Sequence, residues 1–185
     1  MALTRLNNRS ITAVTALPSG ITMPAGSVVQ VKSTEDKGAY VWSAQSDYVD
    51  AGNLSVTITP KSSTNKIFLM LTINICHPDS DTGHVRVMRN STQIACGNAD
   101  IGSWPATTFS SRIYSHNNNG DNYNVFAYSM QFLDAPATTS SLTYKIQFWP
   151  RSSQPMSLNR SLFSTTSDLN MGRQTSTISV MEIAV

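Results

Sequence analysis

The residues best able to do chemistry crowd into one short stretch, "HPDSDTGH", in which His77 and His84 flank Asp79 and Asp81. Imidazole and carboxylate together could hold a divalent cation or activate a water for hydrolysis. The spacing fits neither a calcium-binding helix–loop–helix nor a zinc motif. Asp, Ser, Gly and Pro between two apolar stretches are ordinary turn formers. A turn is the expectation; a weak cation site, or a hydrolase using Asp79, Asp81 and a histidine, are the competing readings. No G-x-S-x-G, P-loop, dinucleotide fingerprint or HExxH occurs. With only two glutamates, Glu35 and Glu182, a paired-carboxylate glycosidase would have to use aspartates, and the sequence singles out no pair. Glu182 alternates with Ile178 and Val180, so it should sit semi-buried at a strand end, satisfied by an ion pair or hydrogen bond. The chain is expected to be no enzyme and to need no cofactor and no metal.

Binding chemistry is easier to find. The loop "SHNNNGDNYN" offers Asn117, Asn118, Asn119, Asp121 and Tyr123. Amides supply directional hydrogen bonds and one aromatic ring supplies an apolar platform, which is what sugar recognition needs. Asn and Gly also suit any long loop, because both tolerate left-handed backbone. Trp104, in the connection "GNADIGSWPATTFSS", is a further exposed candidate, whereas Trp42 and Trp149 lie in strands and read as core.

The elements that must carry these loops are strands. Only 13% of residues are charged, while Ser and Thr make up roughly a quarter of the chain. Thr, Val, Ile and Tyr favour a pleated surface, and no stretch shows helical periodicity. Short strands are expected at "SVVQVKST", "AYVWSA", "LSVTITP", "KIFLMLTINIC", "HVRVMRN", "TQIACG", "SSRIYSH", "VFAYSMQFLD", "LTYKIQFW" and "STISVMEIAV". A tight hairpin should turn at Asn90-Ser91, and "DAPATTSS" has the length of a hairpin or short loop. Ten short antiparallel strands point to a two-sheet β-sandwich or jelly roll, all-β, over residues 27–185. Residues 1–26 read differently. Leu3, Leu6, Ile11, Val14 and Leu17 are loosely spaced, and "LPSG" and "MPAG" punctuate the segment. This is either an extended N-terminal arm that docks on a neighbour or a flexible terminus.

"KIFLMLTINIC" is apolar on both faces. Ile67, Leu69, Leu71, Ile73 and Ile75 share one face; Phe68 and Met70 share the other before it turns polar at Thr72 and Asn74. A sandwich strand normally shows one face to water. Val125 and Ala127 break the same expectation. Either the arm covers this outer face, or sister copies do; a weakly charged sandwich with such a face favours a subunit interface at Phe68, Met70, Val125 and Ala127.

Net charge is +2, and the basic residues are scattered rather than gathered into a stripe that could track phosphates. No nucleic-acid partner is expected. No run of eighteen apolar residues and no signal-like N-terminus occurs, so neither membrane insertion nor export is expected. Cys76 and Cys96 read as small buried apolar residues rather than a disulfide.

"MPAGSVVQVKST", "YVDAGNLSVTITPKSSTNKIFLMLTIN", "VRVMRNSTQIACG", "FLDAPATTSSLTYKIQF" and "TSTISVMEIAV" together resemble a family of small virion-associated proteins of tailed bacteriophages, commonly called tail-fibre or structural proteins. The resemblance runs from about Met23 to Val185, and its motifs are structural. It implies a β-sandwich or jelly roll on the outside of a virus particle, a homotrimer, other virion proteins of tail or capsid as partners, and assembly in a bacterial cytoplasm. A host-surface glycan would be the ligand of the polar loops. The chain lacks the heptads or short repeats of a fibre shaft, which raises capsid decoration as the alternative to a tail-fibre or tail-tip role.

Overall fold

The computed structural model describes residues 23–77, 82–98, 102–112, 124–151, 155–162 and 172–185. The strands, in chain order, are β1 (Val28–Asp36), β2 (Tyr40–Trp42), β3 (Val49–Ile58), β4 (Lys66–Cys76), β5 (Thr82–Arg89), β6 (Thr92–Ile94), β7 (Phe109–Arg112), β8 (Phe126–Asp134), β9 (Leu142–Pro150), β10 (Met156–Leu158) and β11 (Ser176–Ile183). They form two antiparallel sheets. The first runs β1-β11-β4, with β8 on the far side of β4; β10 and β2 continue it beside the Ile75–Cys76 end of β4. The second runs β3-β9-β5, with β6 and β7 both pairing β5. The long strands β3, β4, β5, β8, β9 and β11 alternate between the second sheet and the first. This order, β1-β11-β4-β8 facing β3-β9-β5-β7, is that of a jelly-roll sandwich.

The core lies where period-two patterning puts it. Ile67, Leu69, Leu71, Ile73 and Ile75 of β4 face Leu142, Tyr144, Ile146 and Phe148 of β9, and all nine side chains are buried. Each is worth about 1.5–3 kcal/mol against leaving it exposed, which is why β4 spans the same residues as its apolar run. The β5–β6 hairpin turns at Asn90, whose φ of 51° suits an asparagine. Asn90 also accepts a hydrogen bond from the Thr143 backbone N–H at 2.9 Å.

Several expectations need correction. β3 starts at Val49, five residues before the alternating stretch, because a bulge between Asp50 and Ser55 absorbs the irregular "AGN". There Gly52 takes φ +58° and sits so close to Asp36 Oδ2 that a Cβ would lie 2.6 Å away. β10 has only three residues and no sequence signal distinct from a loop. "DAPATTSS" is no hairpin: it joins β8 of the first sheet to β9 of the second. Trp149 is not core. It alternates with buried Phe148 and stands half-buried on the outside of the second sheet, whereas Trp42 packs edge-on against Phe148 at 5.4 Å. Cys76 is buried as expected, but Cys96 follows the short β6 and is exposed; the two are not joined in a disulfide. Leu3, Leu6, Ile11, Val14 and Leu17 lie outside the described residues.

Candidate functional site

The outer face of the first sheet is organised in rows that cross the strands. In antiparallel pairing, residues directly opposite share a face. Val31 lies opposite Met181, Met181 opposite Phe68, and Phe68 opposite Leu133, so four apolar side chains form one row across β1, β11, β4 and β8. Leu133 is 48% exposed and Val31 52%. The next row is Ser33, Ser179, Met70 and Gln131, and the one after is Glu35, Thr177, Thr72 and Ser129. Hydroxyls there bond across strands, Ser33 to Ser179 at 2.7 Å and Thr72 to Ser129 at 3.0 Å. The face thus grades from apolar to hydroxylated along the strand direction. A shallow groove of about 540 Å³ runs through the hydroxylated rows, lined by Met70, Thr72, Ser129, Gln131, Thr177 and Ser179.

The four interface candidates therefore divide. Phe68 belongs to the apolar row, and Met70, 36% exposed, borders it. Ala127 lies opposite Asn74 at the hydroxylated end, with Val125 just before β8. Six residues along β4 separate Phe68 from Asn74, roughly 20 Å, so Val125 and Ala127 are not part of the patch around Phe68. Alternation alone missed Val31, Leu133 and Met181. Their signal is the change from hydroxyl to apolar within each strand, and only the register aligns those changes.

Two buried carboxylates fix this face from behind. Asp134, at the end of β8, receives Arg89 Nη1 at 2.6 and 2.8 Å and the Tyr144 hydroxyl at 2.7 Å. Arg89 and Tyr144 belong to β5 and β9, so the contact ties β8 to the opposite sheet. Burial, reinforced by Asp134, pushes the Tyr144 phenol far above its ordinary value. Glu182, fully buried on β11, accepts hydrogen bonds from Gln30 Nε2 at 2.6 Å, Asn65 Nδ2 at 2.7 Å and the backbone N–H groups of Lys61 at 2.7 Å and Ser62 at 3.4 Å. Burial alone would raise its pKa. The four donors outweigh burial and hold the carboxyl below its ordinary value.

The outer face of the second sheet is different in kind. Asp50 accepts from Lys145 Nζ at 2.9 Å and Gln147 Nε2 at 2.7 Å, and Arg86 Nε donates to Gln147 Oε1 at 2.8 Å. The Arg86 guanidinium lies 3.9 Å over the Tyr48 ring, which packs on Trp149. Burial opposes ionisation of Asp50, yet the Lys145 and Gln147 bonds prevail and lower its pKa. His84 sits at the end of this ladder against Trp149, 4% exposed, and neither ring nitrogen has a hydrogen-bond partner among the described residues. Burial and then Arg151 hold its imidazole below the ordinary value.

The "HPDSDTGH" residues do not converge on a described site. His77 is buried just after β4, His84 faces outward within β5, and Asp79 and Asp81 lie outside the described residues. Among the described residues, no three His, Cys, Asp or Glu side chains gather as a metal site would require. Trp104 is 73% exposed, as expected of a recognition candidate. Asn117, Asn118, Asn119, Asp121 and Tyr123 lie outside the described residues.

No protein-family model matches the chain, and comparison with curated proteins gives no match. Among solved structures, an Eiger TNF from S. frugiperda is similar at a TM-score of 0.40 and 13% identity, over 83% of this chain and 92% of that one. The VP2 subviral particle of infectious bursal disease virus is similar at 0.34 and 10% identity, over 84% of this chain but 42% of that one. An exo-β-1,3-galactanase from Phanerochaete chrysosporium is similar at 0.28 and 15% identity, over 83% and 30%. The jelly-roll assignment rests on strand order and register.

Proposed function

We propose that this chain is a non-enzymatic structural protein on the exterior of a tailed-bacteriophage virion. It works as a homotrimer that docks on other virion proteins through residues 1–26, most simply as a tail-fibre or tail-tip component. The observation that carries this reading is the Val31–Met181–Phe68–Leu133 row. It is a continuous apolar strip on the outside of a sandwich whose opposite exterior is polar, and covering it with sister copies removes that surface from water.

Two further features support the reading. The resemblance to tailed-phage virion proteins spans the whole described sandwich. Among the described residues, the buried carboxylates are committed to holding the fold: Glu182 and Asp134 as above, and Asp36 through the Gly38 and Asn53 backbone N–H groups, each at 2.7 Å. The exposed Trp104 supports host-glycan contact as an added role. The test is the mass of the full chain in solution by light scattering, with a copy count in purified particles. A mass three times 20.1 kDa is expected. A monodisperse monomer would sink the oligomer. Hundreds of copies per particle would turn the reading to capsid decoration, and a few copies would keep it at the tail.

A further inference from the structure

An exposed strand edge offers unpaired N–H and C=O groups, and proteins blunt such edges with charge, proline, bulges or brevity. Among the described residues, the edges of this sandwich follow that rule except at one place. β1 carries Lys32 and Glu35 and a register shift between Val28 and Gln30. β3 carries the Asp50/Ser55 bulge. β2 and β6 have three residues each and β7 has four. β8 has nine residues, pairs β4 through nine consecutive partners with no register shift, and among the described residues pairs no other strand. From Phe126 to Leu133 it has no charge, no proline and no glycine. Its one carboxylate, Asp134, is turned inward to Arg89 and Tyr144. The Ser129–Leu133 half also borders the groove and ends at the apolar row.

We propose that this half of β8 is an acceptor edge, and that its occupant is the N-terminal segment Ser10–Leu17 of a neighbouring copy, added as a further strand of the first sheet. The inference rests on the oligomeric reading above and gives Ser10–Leu17 to a sister copy, which leaves residues 1–9 of the arm for contact with other virion proteins. "SITAVTAL" is eight residues without charge, proline or glycine, and half of them are β-branched, the composition of a strand. The chain leaves the described body at Met23. Just beyond, the Gly26 N–H bonds Ala184 O and the Ala184 N–H bonds Ser27 O, which pins the exit to the β1 side of the first sheet. β8 of the same copy lies three strand spacings from β1, and a strand added to its free edge would lie four away, about 19 Å. Leu17 and Met23 are six positions apart with five residues between them, a span of at most about 20 Å when fully extended. Reaching its own β8 would therefore need this link, which contains Pro18 and Gly20, held straight at nearly its full length across the outer face, a stretch that the edge of a neighbouring copy does not ask of it. Each copy then gives one strand and receives one, a head-to-tail contact that closes into a ring.

The test uses the full chain with exposed Cys96 changed to Ser, Ala13→Cys in the arm, Gln131→Cys on β8, and a short bis-maleimide cross-linker. Expected is a ladder of linked dimers and trimers that needs both new cysteines and disappears with Val14→Pro, which removes a backbone donor. An internally linked monomer would show that the arm serves its own sheet, and would overturn the proposal. Dimers from Gln131→Cys alone would mean β8 pairs with β8 of a second copy, and would overturn it too. Absence of any linked product counts against it equally. Light scattering on the same unlinked sample separates the two ideas. A trimer without arm-to-β8 linkage removes strand donation and leaves the structural reading standing, whereas a monomer removes both.

Discussion

The outer faces of the two sheets are built from the same kind of strand and treat water in opposite ways. On the second sheet, among the described residues, polar side chains meet one another across strands: Thr57 with Thr143 at 2.9 Å, Lys145 and Gln147 with Asp50, Arg86 with Gln147 and Tyr48. Such cross-strand pairs stabilise a solvated sheet by roughly 0.2–1 kcal/mol each. The first sheet has equivalent hydroxyl pairs at one end only, and at the other a row of Val31, Met181, Phe68 and Leu133. A protein that can make one solvated face has the means to make two. On the proposed reading, the first face is the one that sister copies cover.

The sharpest way to break that contrast is to place one carboxylate on each face. Phe68→Asp should convert the proposed oligomer to monomer, because an unpaired carboxylate in a desolvated contact costs on the order of several kcal/mol. Thr143→Asp, on the polar face, should leave the mass unchanged; light scattering of both variants reads the outcome, and equal behaviour would abolish the distinction. A smaller effect is expected from Arg89→Ala. It leaves Asp134 buried without its cation and loosens β8 from the second sheet, a loss of about 3–5 kcal/mol in denaturant unfolding. The smallest effect is on pH. His84 has a lowered folded pKa, so below its ordinary value of 6.5 the unfolded chain binds the proton first. Its contribution is present in full above that pH and is lost as pH falls toward the folded value. His84→Leu should flatten unfolding midpoints between pH 7 and pH 5 (about the titration range of a histidine), leaving the acid loss from Glu182, whose lowered pKa acts only below its ordinary 4.5.

Much of this architecture was legible in the residues. The limits of β4, the inward faces of β8 and β9 and the hairpin at Asn90 follow from period-two alternation and turn chemistry, because both are local. What could not be read is what depends on register. Phe68 was visible as apolar on the wrong side, but its neighbours come from residues 31, 133 and 181, and no local pattern aligns those three. Trp149 was misplaced because a tryptophan in a strand suggests core. The strict alternation of Leu142, Tyr144, Ile146 and Phe148 already put it outside. Glu182 was expected to be semi-buried at a strand end and is fully buried, because its four donors come from Gln30, Asn65 and the Lys61–Ser62 backbone.

β11 has a consequence for biosynthesis. It is the last strand along the chain, yet it lies between β1 and β4, two of the earliest. While a ribosome is still making residues before Ser176, the nascent polypeptide holds two strands whose facing edges have nothing between them. The first sheet can zip shut only after Ser176–Ile183 emerges. Contacts between segments so distant in sequence form slowly, and through that interval those edges stand open to other nascent copies, so the order of synthesis itself gives neighbouring polypeptides a window in which to meet.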